Sequence, residues 1–185
     1  MPYITLPDSM PGMRGLLAAF PETGYYLSAL AEYLLRGSHS SLTPAERELI
    51  AARISQGNAC TYCTRTHGET ARKLFPEGQG TIVDEVIYKN NNQVLSEKML
   101  ALIELALAVQ KNGLFVEQFH IDRARSAGAD DKTIHDTVLI AAAFCMFNRY
   151  VDGLRAWTPE DRDTYIQIGS RLAEKGYISD IQKPA

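Results

Sequence analysis

The stretch LTPAERELIAARISQGNACTYCTRTHGETA, residues 42–71, predicts two consecutive helices and carries the chain's clearest chemical motif. Thr43 is a strong N-cap candidate, Pro44 suits the first helical position, and Glu46 completes a capping box. A Gly-Asn pair then interrupts the pattern, so Asn58 is predicted to cap the next helix. The stretch therefore predicts a pair of helices joined by a short turn.

Helical signals dominate the rest of the chain, and strand signals are nearly absent. The segment after Ser96 has the apolar spacing of an amphipathic helix, and residues 130–153 are apolar nearly all round, which predicts a central helix. The sequence thus predicts an all-α fold of roughly seven or eight helices in a single domain over residues 1–185. Further helices are predicted at residues 22–37, 81–90 and 115–128.

The chain is predicted to close with a C-terminal helix and tail over residues 158–185. Thr158 is the predicted N-cap of this helix and Pro159 its first residue, since both residue types favour those positions. Gly176 is its predicted end.

Composition excludes several classes of protein. Hydrophobic residues make up 45% of the chain and charged residues 22%, which is typical of a globular protein and not of a disordered one. The net charge is −3 and no run of Lys or Arg forms a basic stripe, so no nucleic-acid partner is expected. The longest apolar run, Val138–Phe147, is too short to span a bilayer, and the N-terminus lacks a secretory signal pattern, so a cytoplasmic location is expected.

Cys60, Cys63 and His67 form the motif C-x2-C-x3-H. On a helix these residues lie one turn apart and share a face. A helix N-terminus favours a thiolate. Cys60 lies at the N-terminal end of the predicted helix and Cys63 lies deeper in it, where His67 could take the Cys63 proton. Glu48, on the preceding helix, could orient His67 in a general-base relay, although a solvated surface charge is an equally good interpretation of Glu48.

Three uses of this motif compete. A cytoplasmic CxxC pair is commonly redox-active or metal-binding, and three cysteines are too few for a disulfide scaffold. A structural zinc site would take Cys60, Cys63 and His67 as ligands with Glu48 as the fourth, but zinc ligands usually come from two separated arms of a chain. The third use is inert filling of space. In function, the choice lies between an enzyme and a non-catalytic scaffold or redox-sensing oligomer.

The run from residue 42 to 71 resembles the alkylhydroperoxidase-D-like, or carboxymuconolactone decarboxylase, family in its peroxidase-related branch. The matching pattern is a Glu, eleven residues, CxxC, three residues and a His, here Glu48, Cys60, Cys63 and His67. The later segment SAGADDKTIHDTVLIAAAFCMFNRYVDGL resembles the second half of that family's domain. The resemblance covers roughly residues 16–157.

This resemblance implies an all-helical domain that assembles into dimers, trimers or hexamers and reduces hydroperoxides with thiols. Cys63 would attack the peroxide and become a sulfenic acid, and Cys60 would condense with it to a disulfide. Glu48 and His67 would relay the proton, and an external dithiol, lipoyl or thioredoxin-like, would restore the pair. No cofactor or metal is implied.

One position departs from the pattern. Some relatives carry a second His between the two cysteines, and this chain has Tyr62 there. The relay is therefore expected to be shorter. The decarboxylase branch of the family generally lacks the CxxC motif, so lactone decarboxylation is not expected.

Overall fold

The computed structural model describes residues 1–179, which form a helical bundle without a β-strand in that range. The predicted all-α fold is thus confirmed. None of the helices in the described part of the chain has the length and apolarity that a membrane span requires. The α-helices are α1 (Gly12–Ala19), α2 (Pro21–Arg36), α3 (Pro44–Gly57), α4 (Thr61–Leu74), α5 (Glu97–Lys111), α6 (Gln118–Ser126), α7 (Asp131–Gly153) and α8 (Arg162–Lys175).

The start of α3 is built as the sequence predicts. The Thr43 hydroxyl accepts a hydrogen bond from the backbone N–H of Glu46, and the Glu46 carboxylate accepts one from the backbone N–H of Thr43 at 2.8 Å. This capping box satisfies two N–H groups that have no partner within the helix. The predicted cap of α5 at Ser96 and the predicted end of α2 at Gly37 are also confirmed.

The predicted cap of α4 is wrong. Cys60, not Asn58, is the N-cap residue, and α4 begins at Thr61. The Asn58 side chain is engaged elsewhere, because its amide donates to Asn148 at 2.8 Å and its oxygen accepts from Gln110 at 2.8 Å. These bonds tie the turn between α3 and α4 to α5 and α7, and Cys60 takes the N-cap position of α4.

Three other elements differ from the sequence prediction: the start of α8, the segment 81–90 and α1. Asp161 caps α8 through the backbone N–H of Thr164 at 2.7 Å, because the hydroxyl of Thr158 donates to the carbonyl of Ala156 instead. The helix ends before Gly176, as predicted, and residues 180–185 of the predicted tail lie outside the described part of the chain. Within residues 81–90 the structure has only a short π-helical turn, Asp84–Tyr88. Helix α1 was not predicted, because no side chain caps its start.

The main core lies between α2, α3, α5 and α7, and α7 packs against several of the other helices, as predicted for a central helix. A second apolar cluster brings α1 and α8 against the first turn of α4. Gly12 makes this approach close: its φ of +52° disfavours other residues, and a Cβ there would lie 2.4 Å from the Tyr62 ring. The second cluster thereby surrounds the CxxC motif with side chains from both ends of the chain.

Candidate redox site

Both motif cysteines lie at the start of α4 as free, buried thiols. A hydrogen bond with Cys63 and burial together raise the pKa of the Cys60 thiol, so Cys60 keeps its proton, and its side chain also hydrogen-bonds Asp152. Cys63 is the third residue of α4, where backbone N–H groups lack helical acceptors and the helix dipole is positive. Cys60 is thus a neutral thiol, and Cys63 lies at the end of α4 where ligands and reaction intermediates that carry negative charge are stabilised.

Glu48 and His67 form a buried pair between α3 and α4. His67 Nδ1 lies 2.7 Å from Oε2 of Glu48, and Glu48 has no exposed surface. Glu48 is therefore not a solvated surface charge, and that interpretation of the sequence is wrong. Because a carboxylate oxygen only accepts hydrogen bonds, Nδ1 carries the imidazole proton and Nε2 is left as the basic nitrogen.

The second oxygen of Glu48 has its own partner. The phenol of Tyr177, two residues beyond the end of α8, donates to Oε1 of Glu48 at 2.5 Å. The same phenol oxygen lies 3.3 Å from Nδ1 of His67, and the two rings are nearly parallel with centroids 6.2 Å apart. Phe144 meets the His67 ring edge-on at 4.6 Å. The imidazole is thus fixed by one carboxylate and two aromatic rings.

A cavity of about 310 Å³ opens beside the pair and is lined by Cys63, His67 and Tyr177. It lies at the lower end of the volume range of small-molecule sites. Cys60 is not among the described residues that line it, so Cys63 is the motif cysteine that faces the cavity. Arg14 and Arg171 also line it. The apolar lining comes from α1, α2, α7 and α8 and includes Met13, Leu17, Leu27, Phe144, Phe147, Ile168 and Leu172.

Tyr62, which stands where some relatives carry a His, is a wall of the site. Its side chain is buried under Gly12 and next to Tyr165, with ring centroids 6.2 Å apart. Burial and the nearby Cys63 raise the pKa of the Tyr62 phenol, so the phenol stays neutral at physiological pH. Its position suits packing around the cysteines more than proton transfer.

The zinc interpretation finds no support in this geometry. Within residues 1–179 no three Cys, His, Asp or Glu side chains are grouped so as to hold a metal ion. Both oxygens of Glu48 are engaged, one by His67 and the other by Tyr177. The fourth ligand that a Cys-Cys-His zinc site would need is therefore already committed.

Of the four residues predicted from the motif, the structure places Glu48 against His67 and Cys60 against Cys63, and Cys63 and His67 both line the cavity. Sequence reasoning missed Tyr177, which lies 110 residues from His67 and follows the glycine that ends α8. A lone Tyr after a helix stop carries no periodicity or spacing that links it to a distant motif. It also missed the contribution of α1, whose start has no capping signal.

Comparison with known proteins adds a family and a fold. The model of the carboxymuconolactone decarboxylase family matches residues 21–74 and 81–159. No protein of curated function matches the chain in sequence. The family match includes all four residues of the Glu-CxxC-His pattern.

Three solved structures share this architecture. A protein from Ralstonia eutropha JMP134, described as an alkylhydroperoxidase AhpD core and an uncharacterized peroxidase-related protein, is 24% identical, with a TM-score of 0.75 over 86% of this chain and 81% of its own. An uncharacterized peroxidase-related protein from Silicibacter sp. TM1040 is 24% identical, with a TM-score of 0.71 over 82% and 78% of the two chains. A protein of unknown function from Agrobacterium tumefaciens is 21% identical, with a TM-score of 0.67 over 81% and 99%. These likenesses establish a common fold.

Proposed function

Because the chain belongs to the carboxymuconolactone decarboxylase family, we propose that it is a thiol-dependent hydroperoxide reductase of the alkylhydroperoxidase-like kind. The observation that carries this proposal is the buried Glu48–His67 pair, whose imidazole lines the same apolar cavity as Cys63. A redox sensor needs thiols alone, whereas an oriented imidazole base beside a thiol is the arrangement of an activated nucleophile.

The first step is oxidation of Cys63. Nε2 of His67 accepts the Cys63 proton, and the thiolate attacks the distal oxygen of a hydroperoxide ROOH. An S–O bond forms as the O–O bond breaks, and the departing alkoxide takes the proton back from His67 to leave as an alcohol. Glu48 stabilises the imidazolium that exists between these two proton transfers. The product on the protein is a Cys63 sulfenic acid.

The second step closes the disulfide. Cys60 lies within hydrogen-bond reach of Cys63 and keeps its proton in the reduced state, so it is the resolving thiol. Its sulfur attacks the Cys63 sulfenic sulfur, and the Cys60 proton leaves with the hydroxyl as water. An external dithiol, lipoyl or thioredoxin-like, then reduces the disulfide by exchange. A cytoplasmic location, expected from the sequence, would keep this pair reduced between turnovers.

The cavity favours an organic hydroperoxide over hydrogen peroxide. Most of its lining is apolar, and burying an alkyl or aryl group there gains free energy in proportion to the apolar area removed from water. Hydrogen peroxide has no such group. The homo-oligomer and the identity of the reductant, both implied by the family resemblance, stay predictions.

The test is turnover of cumene hydroperoxide with dihydrolipoamide as the dithiol. Cys63→Ser should abolish reaction with the hydroperoxide, and Cys60→Ser should react once and stop at a sulfenic acid that dimedone traps. Cys145→Ser is the matched control, because Cys145 is half-buried on α7 and its sulfur contacts Asn58, away from the cavity. A Cys63→Ser protein that still consumed hydroperoxide at the wild-type rate would overturn the proposal.

A further inference from the structure

Tyr177 is the one aromatic hydroxyl that meets both members of the Glu48–His67 pair among the described residues. Its phenol donates to Glu48 at 2.5 Å and lies 3.3 Å from Nδ1 of His67. We propose that Tyr177 is a positioning residue of the relay: by holding Oε1 of Glu48 it fixes the carboxylate, which in turn fixes His67 in the tautomer that leaves Nε2 free. The effect of this positioning role on catalysis rests on the proposed function. The tautomer of His67 can be measured without turnover.

The buried carboxylate of Glu48 needs two hydrogen-bond donors. Glu48 is removed from water, so each of its oxygens needs a donor from the protein. Nδ1 of His67 serves Oε2, and the Tyr177 phenol serves Oε1. Without the phenol, the buried negative charge at Oε1 would have no donor, which favours a protonated Glu48 carboxyl. A protonated carboxyl can donate to Nδ1 of His67, and the imidazole proton then lies on Nε2.

The phenol remains a donor over the whole working pH range. Burial and the charge of Glu48 raise the pKa of Tyr177 well above its ordinary value. The other charged groups that act on it are Glu32 and Arg36, both from α2. Tyr177 therefore does not move the proton itself, and its effect passes through Glu48.

The backbone holds the phenol in place. The N–H of Tyr177 donates to the carboxylate of Glu32 at 2.6 Å, so α2 anchors the segment that follows α8. Gly176 makes this turn: its φ is +71°, and a Cβ there would lie 2.3 Å from an oxygen of Glu32. The ring of Tyr177 also forms part of the cavity wall, so the same anchor closes the site on one side.

The test compares Tyr177→Phe with Tyr26→Phe. Phe keeps the ring at position 177 and removes only the hydroxyl, and Tyr26 is an exposed α2 side chain outside the cavity, which makes it a matched control. Long-range ¹H–¹⁵N NMR correlations report which imidazole nitrogen of His67 is protonated. Wild type and the Tyr26 variant should hold one tautomer, with the proton on Nδ1, and Tyr177→Phe should give a mixture.

The second readout is the rate at which iodoacetamide alkylates Cys63 as the pH is varied. We expect Tyr177→Phe to change this pH profile and to lower the rate about 10-fold to 100-fold, by analogy with the loss of a hydrogen-bond partner that orients a metal-ligating histidine. Glu32→Ala removes the acceptor of the Tyr177 N–H but keeps the phenol, so it should lower the alkylation rate by a smaller factor. This variant replaces Tyr177→Phe in the test if Tyr177→Phe does not fold.

An unchanged tautomer and pH profile in both variants would overturn the positioning role. If the tautomer changes as expected while wild type proves inert towards hydroperoxides, the positioning role stands and the proposed function falls. The two proposals therefore fail on different measurements.

Discussion

Replacing Glu48 with glutamine should reverse the tautomer of His67 while leaving the fold intact. The side chains are nearly the same size, and the amide can still accept from the Tyr177 phenol through its oxygen. Its NH₂ group then faces Nδ1 of His67, where the carboxylate oxygen now lies at 2.7 Å. Because an NH₂ group donates and does not accept there, Nδ1 must become the acceptor and Nε2 must carry the proton. The nitrogen that serves as the base is thereby blocked.

The expected magnitudes separate this effect from simple destabilisation. Loss of general-base catalysis corresponds to a rate decrease of about 10²-fold to 10⁴-fold, and the amide substitution in the serine protease triad, which also inverts a tautomer, has an effect of about 10⁴-fold. At about 1.4 kcal/mol per tenfold change, the barrier rises by about 3–6 kcal/mol. The free energy of unfolding should fall by only about 1 kcal/mol, because charge-assisted hydrogen bonds become neutral ones and no polar atom loses its partner.

The assay is the second-order rate of Cys63 oxidation by cumene hydroperoxide, followed by rapid quench and mass spectrometry between pH 6 and 9. Glu46→Gln is the matched control, since it lies two residues earlier on α3 and a glutamine preserves the capping box. Equal oxidation rates in Glu48→Gln, Glu46→Gln and wild type would refute the relay. Urea denaturation of the same samples checks that a slow variant is still folded.

Two further predictions concern the scaffold. Gly12→Ala should lower the free energy of unfolding by about 2–4 kcal/mol, since it adds strain at φ +52° and a Cβ 2.4 Å from the Tyr62 ring. The measurement is urea denaturation. Gly153→Ala is the control and should leave the free energy of unfolding unchanged, because a Cβ there meets nothing within 4 Å. Asp84→Asn should lower it by about 0.5 kcal/mol at pH 7, because hydrogen bonds from Arg72 at 2.7 and 2.8 Å lower the pKa of Asp84, which is partly exposed. The ion pair stabilises the folded state fully above pH 3.8, the ordinary pKa of Asp, and this stabilisation is lost as the pH falls through the lowered pKa of Asp84 in the folded state. The unfolding free energies of wild type and Asp84→Asn should therefore converge in acid. The same difference at pH 7 and in acid would contradict the assignment.

The helices that the sequence predicted best are those with local signals. The capping box at Thr43 and the serine cap at Ser96 act within one helical turn, so their effect is visible in sequence. The cap of α4 was missed because Asn58 bonds to Asn148, a partner 90 residues away. Long-range hydrogen bonds of this kind override local preference and leave no mark on spacing.

The residues of the candidate site also divide into those with local sequence signals and those placed by long-range packing. Cys60, Cys63 and His67 lie on one stretch of chain, and their shared helical face follows from periodicity. The burial of Glu48 depended on how α3 packs against α4, which the sequence left open between a relay and a surface charge. Tyr177 comes from the far end of the chain, and only the packing of α8 brings it to the relay.

The most direct test of the dithiol mechanism is peptide mapping by mass spectrometry after one equivalent of cumene hydroperoxide is added to the fully reduced protein. The dithiol mechanism predicts a Cys60–Cys63 disulfide formed rapidly and in full, with the thiol of Cys145 still free. A Cys60–Cys63 pair that stays reduced while the hydroperoxide persists, or oxidation confined to Cys145, would contradict it.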